Sequence, residues 1–264
     1  MGEPPEDKEM SFLDHLEELR WRLLKSIIAL GVGAIICFIF AKWILNFLTL
    51  PASRMSNPLT FQVLKVQGMF TVYLEIGFFG GILLALPFVL YQFWAFISPG
   101  LMPHERRYFL PLMLSSTTLF VSGVAFAYLL LLPFALDFFI GLAPPDVEPN
   151  IAIDFYIGFA IRLMVLFGII FELPVVSYFL GKVGVLTSQF MRTYRRHAVV
   201  VIFLLAAILT PPDPITQIML GVPLVLLYEL SILVVQWIEK AEKKREQERE
   251  AEAAAMESSP EGSN

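Results

Sequence analysis

Charge is what this 264-residue chain has least of. Asp, Glu, Lys and Arg make up 16% of it, where a soluble domain carries about a quarter. Apolar residues reach 57%, with a mean hydropathy of +0.70, and that balance excludes a soluble globular class. Cysteine is nearly absent. Cys37 stands alone, so no disulfide can form within the chain and nothing resembles a thiolate metal site. The three histidines, His15, His104 and His197, have no metal-ligand spacing. Gly-x-Ser-x-Gly and His-Glu-x-x-His are both missing, and no histidine lies in an apolar run. An intramembrane hydrolase would therefore lack its nucleophile–base pair and its metal. A positive leader is missing too: Glu3, Glu6, Asp7, Glu9 and Asp14 occupy the N-terminus, so the first apolar run is expected to stay as a membrane helix.

What remains is long apolar runs. Six are expected as spans: Ser26–Ala41, Ile76–Phe96, Phe109–Phe139, Phe155–Leu180, Ala198–Leu209 and Ile215–Ile238. They are too long and too uniformly apolar for strands or a closed barrel. The expected fold is all-α and polytopic, with a membrane domain over 1–238. A charged tail over 239–264 is expected to extend the last helix and fray into disorder. Fifteen Lys and Arg gather on one side of these spans, against Lys42, Arg54 and Lys65 on the other. The positive-inside rule then puts both termini in the cytoplasm. The net charge of -5 carries little meaning, because the charges are sorted by position.

Two features of the spans are unusual. Ala198–Leu209 is roughly 18 Å long as a helix, against a hydrocarbon core of about 30 Å, and Thr210-Pro211-Pro212-Asp213-Pro214 ties it closely to the next span. Local thinning of the bilayer accounts for this better than a re-entrant helix, which would send the basic tail outside. Glu172 lies within the fourth span, where an ionisable group costs roughly 2.5 kcal/mol or more. It reads either as a neutral acid bonded to a neighbouring helix or as a buried polar recognition point.

Outside the spans, Ser11–Leu23 repeats Phe12, Leu16, Leu19 and Leu23 at helical spacing behind a Ser11 cap. It is expected as an amphipathic helix on the membrane surface, ahead of the first span. The segment Ser98–Arg107 is a tight loop in which Glu105 stands beside Arg106 and Arg107. On the opposite side, Lys42–Met69 is long and mixed, and Pro51 is expected to break any helix leaving the first span.

In order along the chain, His15-Leu16-Glu17-Glu18-Leu19-Arg20-Trp21-Arg22-Leu23, Tyr91–Leu101, His104-Glu105-Arg106-Arg107, Phe167–Pro174 and Leu209–Asp213 resemble the TatC family. TatC is the core receptor of the twin-arginine (Sec-independent) protein translocase. The resemblance runs from about Ser11 to Trp237 and implies a function with no catalytic step. It implies binding of twin-arginine signal peptides on folded precursors, recruitment of the single-span proteins TatA and TatB, and export driven by the proton motive force. It further implies a bacterial inner-membrane location and a homo-oligomer within the receptor complex, with no cofactor, metal or nucleic acid. The signal-peptide site it implies comprises Glu18, Glu105, Phe96 and Arg20. The partner-helix contacts are Glu172, Thr210 and Gln217, and the outer-loop transport residues are Pro51 and Asp213. A guanidinium suits a carboxylate site because it bonds through a fork of donors, whereas lysine offers a point charge.

Glu75, Arg162 and Glu229 fall outside those motifs. With Glu172 they could form the relay of a small-solute transporter. Such proteins often show internal repeats, and the two halves of this chain show no convincing one. For Glu75, Lys42, Lys65 and Arg162 are the candidate counter-charges. Glu229 stands as a second acid deep in the last span.

Overall fold

The computed structural model describes residues 12–55, 59–97, 109–144, 150–209 and 214–258. Almost all of them are helical. Among the described residues, five segments are long and apolar enough to cross a membrane: Asp14–Ile39, Gly68–Phe96, Leu110–Gly141, Ile153–Lys182 and Pro214–Ala251. The remaining expected span is also a helix, Arg195–Leu209, of 15 residues. Large side chains such as Ile35, Leu129, Val200 and Leu226 are exposed on these helices. Apolar surface on that scale belongs against lipid. Contacts divide the chain into two units, 1–168 and 169–264.

In the first unit, α1 (Phe12–Ile39) is one continuous helix of 28 residues. The amphipathic stretch expected on the membrane surface is instead its first turns, because no Gly or Pro separates Leu23 from the apolar run that follows. A single non-helical residue, Phe40, then leads into α2 (Ala41–Ser53). After a three-residue strand, β1 (Thr60–Gln62), comes α3 (Gly68–Ile97), which packs antiparallel to α1. Gly33 permits this approach: a Cβ there would lie 2.8 Å from the Gly81 carbonyl oxygen. Removing side chains at such a crossing lets backbones meet, the usual route to tight packing between membrane helices.

Next come α4 (Phe109–Phe126), a π-helical turn Ala127–Leu131 and α5 (Leu132–Gly141). The π turn immediately precedes Pro133. Proline cannot donate to the carbonyl four residues back, and its ring crowds that carbonyl, so the wider turn accommodates it. Strand β2 (Asn150–Ala152) pairs parallel with β1, Phe61 opposite Ile151. It runs directly into α6 (Ile153–Ile170).

The second unit holds α7 (Leu173–Lys182), α8 (Ser188–Thr193), α9 (Arg195–Leu209) and α10 (Pro214–Ser258). The helix α10 runs unbroken from Pro214 to Ser258, through most of the charged segment. Glu239 accepts hydrogen bonds from the Ser188 backbone N–H at 2.8 Å and from its hydroxyl at 2.5 Å. Glu242 pairs with Lys182 at 2.6 Å. The start of the charged segment, from Glu239 to Glu242, is thus fastened to α8 and α7, and its Glu, Lys and Ala content favours helix beyond.

Candidate functional site

One end of the α1–α3 pair carries a polar cluster. On α1, His15, Glu18 and Arg22 fall at spacings of three and four, hence on one face. On α3, Gln92 and Phe96 are likewise one turn apart and meet that face. Glu18 Oε1 accepts from Arg22 Nε at 2.9 Å and also from Nη2. Arg22 Nη1 lies 3.5 Å from the oxygen of Gln92, a side chain only 6% exposed. The Arg22 backbone carbonyl accepts from the Ser26 hydroxyl. His15 stacks on Phe96 with centroids 4.3 Å apart, and its Nδ1 is 3.8 Å from Glu18 Oε2. That second carboxylate oxygen is buried and, among the described residues, has no hydrogen-bond donor.

Glu18 and Phe96 are therefore brought to one place. Arg20 is not: it is exposed, and a residue two positions from Glu18 points about 200° away around the helix. The arginine that does meet Glu18 is Arg22. The i, i+4 rule could have found it, with glutamate on the favourable N-terminal side. Gln92 is a second omission, which only the tertiary fold reveals. Glu105, Thr210 and Asp213 lie outside the described residues.

Pro51 does not stop α2; it sits inside the last turns, and the helix ends at Ser53. Its missing N–H leaves the Phe47 carbonyl without a helical donor. The Tyr128 hydroxyl donates to that oxygen at 2.6 Å, and Tyr156 donates to the neighbouring Leu48 carbonyl at 2.7 Å. Pro51 thus opens an acceptor through which α2 is tied to the π turn.

Nearby, Lys65 pairs with Asp154 at 3.1 Å, which takes it from Glu75. A Cβ on Gly158 would meet both Arg162 Nη2, at 3.1 Å, and Glu75 Oε2, at 3.4 Å. Arg162 is therefore the cation facing Glu75, and Gly158 leaves room for the pair.

In the second unit, the fourth apolar run is broken at Phe171-Glu172. Pro174 cannot bond the Ile170 carbonyl, and the helix restarts at Leu173. Glu172 precedes that restart, half-buried, without its side chain capping α7. Gln217 donates its amide to the Phe203 carbonyl at 2.9 Å, joining α10 to α9. Glu229 pairs with Arg195 at 2.5 Å. The acid expected deep in the last span is thus level with the start of α9. Among the described residues, no group of three or more His, Cys, Asp or Glu could hold a metal ion.

Residues 14–223 match the profile described as Sec-independent protein translocase protein (TatC). The chain belongs to the TatC family. The TatC protein of Aquifex aeolicus is 40% identical over 227 residues, covering 85% of this chain and 94% of that protein. That of Carboxydothermus hydrogenoformans is 38% identical over 238 residues, covering 90% and 97%. A crystal structure of the twin-arginine translocase receptor TatC superposes with a TM-score of 0.78. It is 40% identical and covers 85% of this chain and 99% of that one. Membership makes this a multi-pass membrane protein and a non-enzymatic subunit of a Tat protein translocase.

Proposed function

We propose that this TatC-family chain is the receptor that binds twin-arginine signal peptides of folded precursors in the bacterial inner membrane. The observation that carries the reading is that Glu18 already holds a guanidinium, through two N–H groups of Arg22. The carboxylate sits at the edge of an aromatic pair, His15 on Phe96. That is the chemistry an arginine-bearing peptide requires, since charge-assisted forked bonds favour arginine over lysine. Glu105 supplies the second carboxylate, and Arg20 contributes from the exposed face of α1.

The proposed topology has six spans with both termini cytoplasmic, as the distribution of Lys and Arg supports. Residues 1–238 form the membrane domain, and the rest of α10 is a cytoplasmic extension. TatA and TatB helices dock where Glu172, Thr210 and Gln217 offer polar contacts in lipid, worth roughly 0.6–2 kcal/mol each. The break before Pro174 favours this role for Glu172, because it interrupts the helix beside a polar side chain. Pro51 and Asp213 serve transport from the outer side. Several copies assemble, and the proton motive force drives export.

Photo-crosslinking probes at positions 105 and 172, in membranes with one precursor and its twin-lysine version, test this. A crosslink from 105 that vanishes with twin lysine supports the receptor site. A crosslink from 172 to TatA or TatB supports the partner site. Silence at both in a correctly inserted protein refutes the assignments.

A further inference from the structure

Arg22 is the resident of the pocket that the proposed function assigns to a peptide arginine. Its two bonds to Glu18 both fall on Oε1, while its Nη1 makes a long bond to Gln92, and the other carboxylate oxygen, Oε2, is buried with His15 Nδ1 3.8 Å away. An incoming guanidinium therefore cannot share Glu18 by adding to the open oxygen from solvent. It must move Arg22 off. The fold provides somewhere for Arg22 to go, since its long 3.5 Å bond to the Gln92 oxygen can shorten as the guanidinium leaves Glu18. Gln92 is itself almost fully buried, so that acceptor is fixed on α3 and water competes for it poorly. The backbone of Arg22 stays tied to Ser26 in either position.

We infer that Arg22 is an affinity-determining residue of the recognition site, an internal competitor for Glu18 that yields to the peptide by shifting onto Gln92. The inference rests on the reading of Glu18 as the acceptor of a peptide arginine. Its physical consequence is a receptor tuned to release. The pocket is never an empty carboxylate, so a bound peptide is opposed by a cation one helical turn away. Because displacement of Arg22 precedes every binding event, it weakens arginine-bearing and lysine-bearing peptides alike. Discrimination between them remains with Glu18 and the fork geometry. Gln92 lowers the cost of opening, and it matters only while Arg22 is present.

The test uses the full chain in nanodiscs and fluorescence anisotropy with a synthetic signal peptide, in Arg-Arg and Lys-Lys forms. Arg22→Leu keeps an apolar stem against α3 and should tighten both peptides by roughly three- to fivefold. That is the scale of a partly exposed ion pair expressed as affinity. Gln92→Leu should weaken binding in the parent and have no effect when combined with Arg22→Leu. If Arg22→Leu fails to fold, Arg22→Lys removes the fork while keeping the charge and should tighten binding by a smaller factor. Weaker binding in the folded Arg22 variant would overturn the inference and make Arg22 an orienting partner of Glu18. Equal effects of Gln92→Leu in both backgrounds would overturn it as well. Glu18→Gln separates the two levels. Loss of binding there, with weakening in Arg22→Leu, refutes only the competitor. Unchanged binding in Glu18→Gln refutes the site itself.

Discussion

As the fifth span of the proposed topology, α9 is short enough to make bilayer thickness a direct test. Its 15 residues give a length of about 22 Å at 1.5 Å per residue. The pair Arg195–Glu229, at 2.5 Å, marks one end, and α10 takes the stretch from Pro214 to Glu229, about 24 Å, to reach it. Both strokes of the hairpin are thus about 6–8 Å shorter than an average hydrocarbon core of ~30 Å. Mismatch costs a fraction of a kcal/mol per Å. At ~0.3 kcal/mol per Å, thinning the bilayer by ~6 Å should stabilise the hairpin by about 2 kcal/mol, or roughly 30-fold in its opening equilibrium.

Hydrogen exchange of the α9 amides 199–206 reads this directly. The full chain is placed in nanodiscs of phosphatidylcholine with short, medium and long acyl chains. Opening of α9 exposes its amides, so exchange should slow by about that factor from the medium to the short chains, and quicken in the long ones. The amides of α1, a helix of 28 residues or about 42 Å, serve as the internal reference and should change little. Exchange in α9 that ignores thickness, or that is slowest in the thickest bilayer, would refute the spanning geometry. It would favour a helix that enters the membrane without crossing it.

Two further outcomes follow from packing. Gly81→Leu should push α3 away from α1 at the Gly33 contact and lower stability by about 2 kcal/mol or more. Gly31→Ala, where a Cβ meets nothing within 4 Å, should be neutral or slightly stabilising; equal melting temperatures for both variants would contradict the close crossing. Glu239→Ala should release Ser188 from α10 at a cost of about 1.5 kcal/mol. Exchange of the amides of Ser188–Met191 should then accelerate by roughly tenfold, and an unchanged rate would mean that α8 is held by its apolar contacts alone.

The helices were legible in the sequence because uniform apolarity over twenty or more residues has few structural solutions. Their packing was not, and the reason is the same uniformity. A helix apolar on every side carries no periodic stripe to say which face meets which neighbour. What could be read were local relations: the short fifth run, and the Glu172 carboxylate beside a proline. The Glu18–Arg22 pair is readable from the i, i+4 spacing, whereas the family resemblance points to Arg20. Gln92 and Phe96 meet α1 across some seventy residues, and nothing local announces it. Strands β1 and β2, three residues each, are too short for an alternating pattern. The fastening of the tail was not legible, because it depends on two distant partners, Ser188 and Lys182.

Once hydropathy is set aside, polar side chains carry the register of this fold. Tyr128, Tyr156, Tyr228 and Gln217 each donate to a backbone carbonyl on another segment: Phe47, Leu48, Met191 and Phe203. Two of those carbonyls are predictable orphans. Phe47 stands four residues before Pro51, and Met191 lies in the final turn of the six-residue α8, where carbonyls lack helical donors. An unsatisfied carbonyl in lipid costs several kcal/mol, while a misplaced leucine costs little when the surroundings are apolar everywhere. Selection among packings therefore falls to the few donors that reach those oxygens. The same logic places function. Glu18 and Arg22 offset each other's charge in the free protein, so the chain folds without a buried lone charge. The ligand that would use Glu18 is then one able to replace what Arg22 provides, a guanidinium presented at the end of α1.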